Sequence, residues 1–188
     1  MYLKAQQVKI AWMVLNLLLY LLLAGCQAGK EAEETPQGET EMTIQLTSNA
    51  FSEGKNIPRK HTCDGENVSP QLSWNGVPTN AQSLALIMDD PDAPGRTFVH
   101  WVLFDIPPTV TELPEGVQNI GVPGANSYRK NVYNGPCPPP GPAHRYFFKL
   151  YALDKQLKLA PGATKPDLEA AMQGHILAWG QLMGKYGR

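Results

Sequence analysis

Alternation of apolar and polar residues dominates the chain from Met42 onward. Four segments show it, "MTIQLTS", "SLALIMDD", "TFVHWVLFDI" and "RYFFKLYAL", and turns rich in proline and glycine separate them. A two-residue period is typical of strands with one buried face. Helical periodicity is scarce before residue 164, and the chain holds 17 prolines and 17 glycines. The pattern therefore predicts a loop-rich, mainly β domain.

Polar groups stand at or near the end of the apolar face in three of these segments. Burying such groups unpaired costs several kcal/mol, so they should meet one another, water or a ligand. Alternation assigns Asp90 to the face of Leu84, Leu86 and Met88, His100 to that of Phe98, Val102 and Phe104, and His144 with Tyr146 to that of Phe148 and Leu150.

Each of these residues also has an ordinary structural interpretation. A histidine or tyrosine within an apolar strand is often a core residue, and Asp90 begins "DPDAPG", where an aspartate commonly bonds its own turn. Together, an acid, two histidines and a tyrosine predict a small polar pocket suited to an anion.

A proline-rich segment, "NGPCPPPGPAHRY", leads directly into the strand that starts at His144. Proline fixes φ and lacks an N–H, so Pro138 to Pro140 predict a stiff extended wall. Gly135 and Gly141 allow a backbone or a ligand to come close. The segment is interpreted either as a rigid turn feeding a strand or as one wall of a ligand site.

The C-terminal region shows helical spacing. Thr164 and Asp167 resemble a capping box, with Pro166 early in the helix. Glycines at 174, 180 and 184 indicate that the helix is kinked or split. The apolar stripe predicted to pack on the core comprises Leu168, Met172, Ile176, Trp179, Leu182 and Met183.

The N-terminal region predicts export and lipidation. Lys4 and Lys9 precede a fourteen-residue, largely apolar run, 10–23, which is short for a membrane span and suits a signal peptide. "LAGC" follows directly and resembles the bacterial lipoprotein signal, in which the cysteine is acylated. We therefore expect a signal peptide over 1–25, lipidated Cys26 with an acidic tether over 26–41, and a domain over 42–188.

Charge and location narrow the range of partners. The chain has 16 basic and 17 acidic residues, and two of the lysines precede Cys26, so residues 26–188 carry a net charge of −3. Nothing in this composition favours nucleic-acid binding. The expected location is the bacterial cell envelope, outside the cytoplasm, and the outer membrane if the host has one.

Two further cysteines, Cys63 and Cys137, form an even pair in a protein predicted to be exported. Disulfides persist in such compartments. The sequence leaves two interpretations open, a bridge between them or two buried free thiols.

Longer motifs resemble the phosphatidylethanolamine-binding protein family over residues 42–188. They are "DPDAPG", "HW" at 100–101 and "GPCPPPGPAHRY", while "HTCDGENVSPQLSW" and "KPDLEAAMQGHILAWGQLMGKY" resemble its bacterial, Raf kinase inhibitor-like branch. The resemblance implies an antiparallel β-sandwich with peripheral short helices, a C-terminal helical segment and a pocket for phosphate-type head groups. By motif, the ligand-binding residues are Asp90, His100, Gly135, Pro136, His144 and Tyr146.

Other functional classes have weaker support. No serine lies in a G-x-S-x-G context, so we expect a binding protein and not an enzyme, without a cofactor. A metal site using His61, Cys63 or Asp64 with His144 lacks the usual ligand spacing. The main alternative is a protein-interaction module that inhibits an extracytoplasmic protease or another partner, because relatives are described as inhibitors.

Overall fold

The computed structural model describes residues 44–188. The predicted signal peptide, the lipidation site Cys26 and the acidic tether lie outside these residues. Within them, no helix is both long and apolar enough to cross a membrane. The described chain forms eight strands, one α-helix and a 3-10 turn at Arg59–His61, with these bounds: β1 Gln45–Thr47, β2 Leu72–Asn75, β3 Ser83–Asp90, β4 Phe98–Ile106, β5 Glu112–Leu113, β6 Val122–Pro123, β7 His144–Leu153, α1 Lys165–Met172 and β8 Ile176–Tyr186.

The strands form two antiparallel sheets, which confirms the predicted mainly β sandwich. One sheet has three strands in the order β1-β2-β5, and the other has five in the order β6-β4-β3-β7-β8. All eight residues of β3 are buried, as expected for the middle strand of a sheet covered on both faces.

Two apolar clusters cover the two faces of the five-stranded sheet. The sandwich core joins that sheet to the smaller one, with Leu72 and Trp74 of β2 against residues such as Leu86 and Phe148. The helix-side core lies on the opposite face, where Leu168 of α1 and its neighbours pack on the sheet. Burying a large aliphatic or aromatic side chain contributes about 1.5–3 kcal/mol, so both clusters hold the central strands in place.

A β-bulge in β4 reverses the predicted facing of His100. Asp89 pairs with Val99 and Met88 pairs with Trp101, so His100 is an extra residue without a partner in β3. Such an insertion places two successive residues on one side of a strand. The expectation that His100 shares a face with Val102 and Phe104 was wrong, because those two residues belong to the helix-side core. His100 instead faces the sandwich side.

The C-terminal apolar stripe is helical only at its beginning. The capping box of Thr164 and Asp167 is present, and α1 ends at Met172. The segment from Ile176 onward is β8, which pairs with β7, so the helical interpretation of that part was wrong. Its burial alternates with period two, and a Cβ on the buried Gly180 would overlap the Ile44 carbonyl. Glycine on this face therefore lets another segment pack directly on the strand.

Candidate functional site

Three neighbouring strands bring the predicted polar groups to one end of the five-stranded sheet. Asp90 ends β3, His100 lies near the start of β4, and His144 and Tyr146 lie at the start of β7. Because β3 is antiparallel to both neighbours, its last residue adjoins their first residues. All four side chains lie on the sandwich side, where the structure brings them together.

The Asp90 carboxylate orients the His144 ring. His144 Nδ1 lies 2.8 Å from Asp90 Oδ2, and the other carboxylate oxygen accepts a hydrogen bond of 2.8 Å from the Asp92 N–H. The side chains of His144 and Asp90 are only 12% and 4% exposed. Since Nδ1 donates to the carboxylate, Nε2 is the ring nitrogen left for a ligand.

The His100 ring is held by the backbone of the proline-rich segment. Nδ1 lies 2.8 Å from the Asn134 carbonyl oxygen, while the Asn134 N–H donates to the His100 carbonyl at 3.1 Å. Burial lowers the pKa of His100 from its usual value, and this outweighs the raising effects of the Asn134 carbonyl and the Asp90 charge. The ring is therefore neutral at neutral pH.

A buried asparagine holds Asn134 in position. Asn126 Nδ2 donates to Asn134 Oδ1 and to the Val132 carbonyl, both at 2.9 Å, and its Oδ1 accepts from the N–H groups of Tyr128 and Lys130. No sequence pattern marks Asn126 as a residue of the site. It lies in an irregular loop without periodicity, and only the fold shows which loop it organises.

Tyr146 carries a buried hydroxyl with no hydrogen-bond partner among residues 44–188. Burial raises the pKa of this phenol, and the nearby Asp90 charge adds to the rise, although the two groups do not have hydrogen-bond geometry. The ring packs edge-on against His100 with centroids 5.2 Å apart. Tyr146 therefore presents a neutral O–H donor beside both histidines.

The proline wall is tied to the rest of the domain at several points. Cys63 and Cys137 form a disulfide with Cα atoms 5.4 Å apart, so the structure pairs the two cysteines as a bridge. The Cys63 N–H donates to the Pro136 carbonyl at 3.1 Å, and Arg188 Nε donates to the Pro138 carbonyl at 2.8 Å. These contacts fix a segment that is already stiff.

Gly135 is required by a backbone contact. A Cβ at this position would overlap the His61 carbonyl, and the Gly135 N–H donates to Asn67 Oδ1 at 2.7 Å. The close approach expected for a ligand is thus made, in this structure, by the His61 backbone. Gly135 and Pro136 are both buried and contribute the shape of the wall.

Arg145 fixes the turn that follows Asp90. Its backbone N–H and its guanidinium bond the Asp92 carboxylate at 2.7–2.9 Å, and this pairing lowers the pKa of Asp92 to about 2. The Asp92–Arg145 pair thus joins the turn after β3 to the start of β7, next to the Asp90–His144 contact.

The metal alternative has no support in the part of the chain that the structure describes, which contains no group of three or more metal-ligating side chains. Cys63 is in the disulfide, and the Asp64 carboxylate accepts from the Tyr186 hydroxyl at 2.7 Å.

The sequence model of one family, described as phosphatidylethanolamine-binding protein, matches residues 47–187. The chain belongs to the phosphatidylethanolamine-binding protein family. A UPF0098 protein of Methanothermobacter thermautotrophicus is a family relative 52% identical over 151 residues, which are 77% of this chain and 99% of that protein. A UPF0098 protein of Aquifex aeolicus is 45% identical over 152 residues, 77% of this chain and 89% of that protein.

Solved structures support membership of the phosphatidylethanolamine-binding protein family. The crystal structure of a phosphatidylethanolamine-binding protein homologue of Chlamydia trachomatis is 44% identical, with a TM-score of 0.75 over 79% of this chain and 99% of that one. E. coli YbcL, described as a new member of the mammalian family, is 31% identical, with a TM-score of 0.72 over 78% of this chain and 99% of that one. The Raf kinase inhibitor-like branch and the bacterial origin stay predictions, since relatives include archaeal proteins.

Proposed function

We propose that this domain binds a small phosphate-type anion, free or as a phospholipid head group, between Asp90, His100, His144 and Tyr146. The observation that supports this most directly is the buried Tyr146 hydroxyl without a partner among the described residues. Leaving such a group unpaired costs about 1–3 kcal/mol, and an anion oxygen would accept its hydrogen bond.

Neighbouring atoms add to this argument. Nδ1 of each histidine ring is already bonded, and Nε2 of His144 has no hydrogen-bond partner within residues 44–188. An imidazolium at His144 would supply positive charge, and Asp90 is already paired with that ring. The stiff, disulfide-tied wall loses little entropy when a ligand binds.

Calorimetric titration with phosphate, O-phosphoethanolamine and acetate tests the proposal. We expect His144→Ala to abolish most phosphate binding while the fold survives, because Phe148 and Leu150 keep β7 packed. His175→Ala is a matched control, since His175 Nδ1 also lies 2.8 Å from a carboxylate, that of Asp154, outside the site. If the wild-type domain binds none of the three anions, the proposal is wrong.

We also propose that the protein is a binding protein without enzymatic activity, held at the cell envelope by a lipid on Cys26. This rests on "LAGC" after the apolar run. A single acyl chain anchors only marginally and a second makes anchoring stable. Cys26→Ser should leave an unlipidated precursor, and normal fatty-acid incorporation in that variant would contradict the assignment.

A protein-interaction role is the alternative. Two large hydrophobic side chains in the described region are exposed, Tyr128 at 46% and Val132 at 54%, and both lie in the loop that Asn126 organises. If a protease contacts this loop, the domain should inhibit a purified peptidase tightly. Val132→Asp should weaken that inhibition, and phosphate should not affect it.

A further inference from the structure

The sequence contains two Asn-Gly dipeptides, at residues 75–76 and 134–135. Asparagine is most reactive before glycine, because glycine has no Cβ to hinder its own backbone nitrogen as that nitrogen approaches the preceding side chain. The structure places the two dipeptides in different environments. The same local chemistry can therefore be compared at two sites of one molecule.

The chemistry in question is an intramolecular acyl substitution. The glycine nitrogen forms a bond to Cγ of the asparagine, and the side-chain amino group leaves as ammonia with the proton of the attacking nitrogen. The product is a five-membered succinimide. One water molecule then opens this ring at either carbonyl and gives aspartate or isoaspartate. The attack requires a glycine N–H without a hydrogen bond and an asparagine side chain that is free to turn.

The first dipeptide meets both requirements. Asn75 is the last residue of β2, and Asn75 and Gly76 are both exposed. Neither the Asn75 amide nor the Gly76 N–H has a hydrogen-bond partner within residues 44–188. Gly76 has a φ of 80°, so the chain leaves the β conformation directly after Asn75. The attacking nitrogen and the amide are thus both available.

The second dipeptide meets neither requirement. Asn134 Oδ1 accepts from Asn126 Nδ2 at 2.9 Å, and the buried Gly135 donates its N–H to Asn67 Oδ1 at 2.7 Å. The backbone N–H and carbonyl of Asn134 are both bonded to His100. Reaction at this site would first require these contacts to break, which is a local opening of the fold.

We propose that Asn75 is a site of spontaneous deamidation and isoaspartate formation, and that the contacts of Asn67 and Asn126 protect Asn134 from the same reaction. Conversion replaces a neutral amide by a carboxylate at the exposed end of β2, so each converted chain gains one negative charge. The isoaspartate form also lengthens the backbone by one carbon atom at this point. The modified residue belongs to the three-stranded sheet and is independent of the proposed anion binding.

Site-resolved mass spectrometry tests the proposal. The purified protein is incubated in mildly alkaline buffer made with isotopically labelled water, so that oxygen incorporated during the incubation is distinguished from earlier conversion. We expect Asn75 to convert about 10- to 100-fold faster than Asn134, because two hydrogen bonds must break at Asn134 before attack. Isoaspartate, measured by enzymatic methylation, should appear at residue 75, and Asn75→Gln should remove this signal.

Two further measurements attribute the difference to the fold. In denaturant, the two dipeptides should convert at similar rates. Asn67→Gly removes the acceptor of the Gly135 N–H at a position whose φ of 57° suits glycine, so it should accelerate conversion of Asn134. Asn67→Asp keeps an oxygen acceptor and should leave the rate at Asn134 low.

The outcomes separate the two parts of the proposal. Equal rates at the two sites in the folded protein would overturn it, and so would an Asn75 that converts in denaturant but not in the folded protein. A folded Asn67→Gly variant with an unchanged rate at Asn134 would overturn the protective role of Asn67. If this variant does not fold, the comparison of folded and denatured wild type decides the question.

Discussion

Two adjacent buried carboxylates, Asp89 and Asp90, lie on opposite faces of β3 and have opposite surroundings. Both oxygens of the Asp89 carboxylate are paired with lysines. Each lies 2.9 Å from Lys149 Nζ, and one of them also lies 3.3 Å from Lys165 Nζ of α1. Asp90 meets one histidine ring and one backbone N–H. The first carboxylate closes a network, whereas the second orients a ring whose remaining nitrogen has no partner in the described chain.

The difference shows how a structural charge is distinguished from a candidate functional one. Burial alone does not separate them, since the two residues are 1% and 3% exposed. The two carboxylates differ in the surroundings of the side chains with which they pair. Lys149 and Lys165 are partly exposed at the sheet surface. His144 instead lies on the same face as Tyr146, whose ring packs on His100 and whose hydroxyl has no partner among residues 44–188. The following predictions test this distinction.

The largest expected effect comes from the disulfide, which ties the proline-rich segment before β7 to the loop that contains Cys63. Replacing both Cys63 and Cys137 by Ser should destabilise the domain by about 4 kcal/mol, because the bridge closes a loop of 74 residues. Denaturant titration measures the loss. The wild type in reductant should have the same stability as the variant, and reductant should not change the stability of the variant. Equal stability of oxidised and reduced wild type would count against the bridge.

Lys149→Met should destabilise the domain by about 3 kcal/mol, because buried Asp89 keeps only the longer contact to Lys165. Phosphate affinity, measured by calorimetry, should not change. Adding Asp89→Leu to this variant should restore stability, since replacing both charges removes the uncompensated one. A loss of anion affinity in Lys149→Met would mean that the two faces are coupled.

Asp90→Asn should have the opposite profile to Lys149→Met. We expect a modest effect on stability and a decrease of about tenfold in phosphate affinity. The reason is that His144 loses a charge-assisted hydrogen bond worth about 1.5 kcal/mol. Asp154→Asn, which alters the matched pair with His175, should leave affinity unchanged. Undiminished binding by Asp90→Asn would show that the carboxylate does not orient His144 for the ligand.

The smallest expected effect is on the pH dependence of the ligand-free domain. Burial lowers the pKa of His100 below its usual value of 6.5, so the unfolded chain takes up this proton first as pH falls. The contribution of His100 to stability is full above about pH 6.5 and is lost as pH falls towards the lower pKa of the folded state. Melting curves from pH 7.5 to 5 should show a shallower decline for His100→Gln, and identical slopes would refute this.

Local periodicity was sufficient for β1, β3, β4 and β7 and for most of the site. Asp90, His144 and Tyr146 lie on the faces that alternation predicted, because β3 and β7 pair without interruption there. His100 was assigned to the wrong face, since a bulge inserts a residue that no periodic pattern reveals. Helical spacing also failed in β8, where buried glycines replace the large residues that normally reveal a two-residue period.

The remaining parts of the site depend on tertiary contacts between loops. Asn126 donates to the Asn134 side chain and Asn67 accepts from the Gly135 N–H, and both partners come near only after folding. Polar residues in irregular loops have many possible partners. The sequence therefore predicts the polar groups at the strand ends but not the loop asparagines that hold the segment before β7 in place.

The bulge in β4 implies that the sheet is complete without His100. On one side of this residue Asp89 pairs with Val99, and on the other Met88 pairs with Trp101, so a strand lacking His100 would pair without a bulge at this point and keep its neighbouring side chains on their present faces. The insertion also frees the His100 carbonyl to receive Asn134. A residue at such an insertion can be gained or lost by a three-nucleotide change in a gene without changing which residues pair on either side of it.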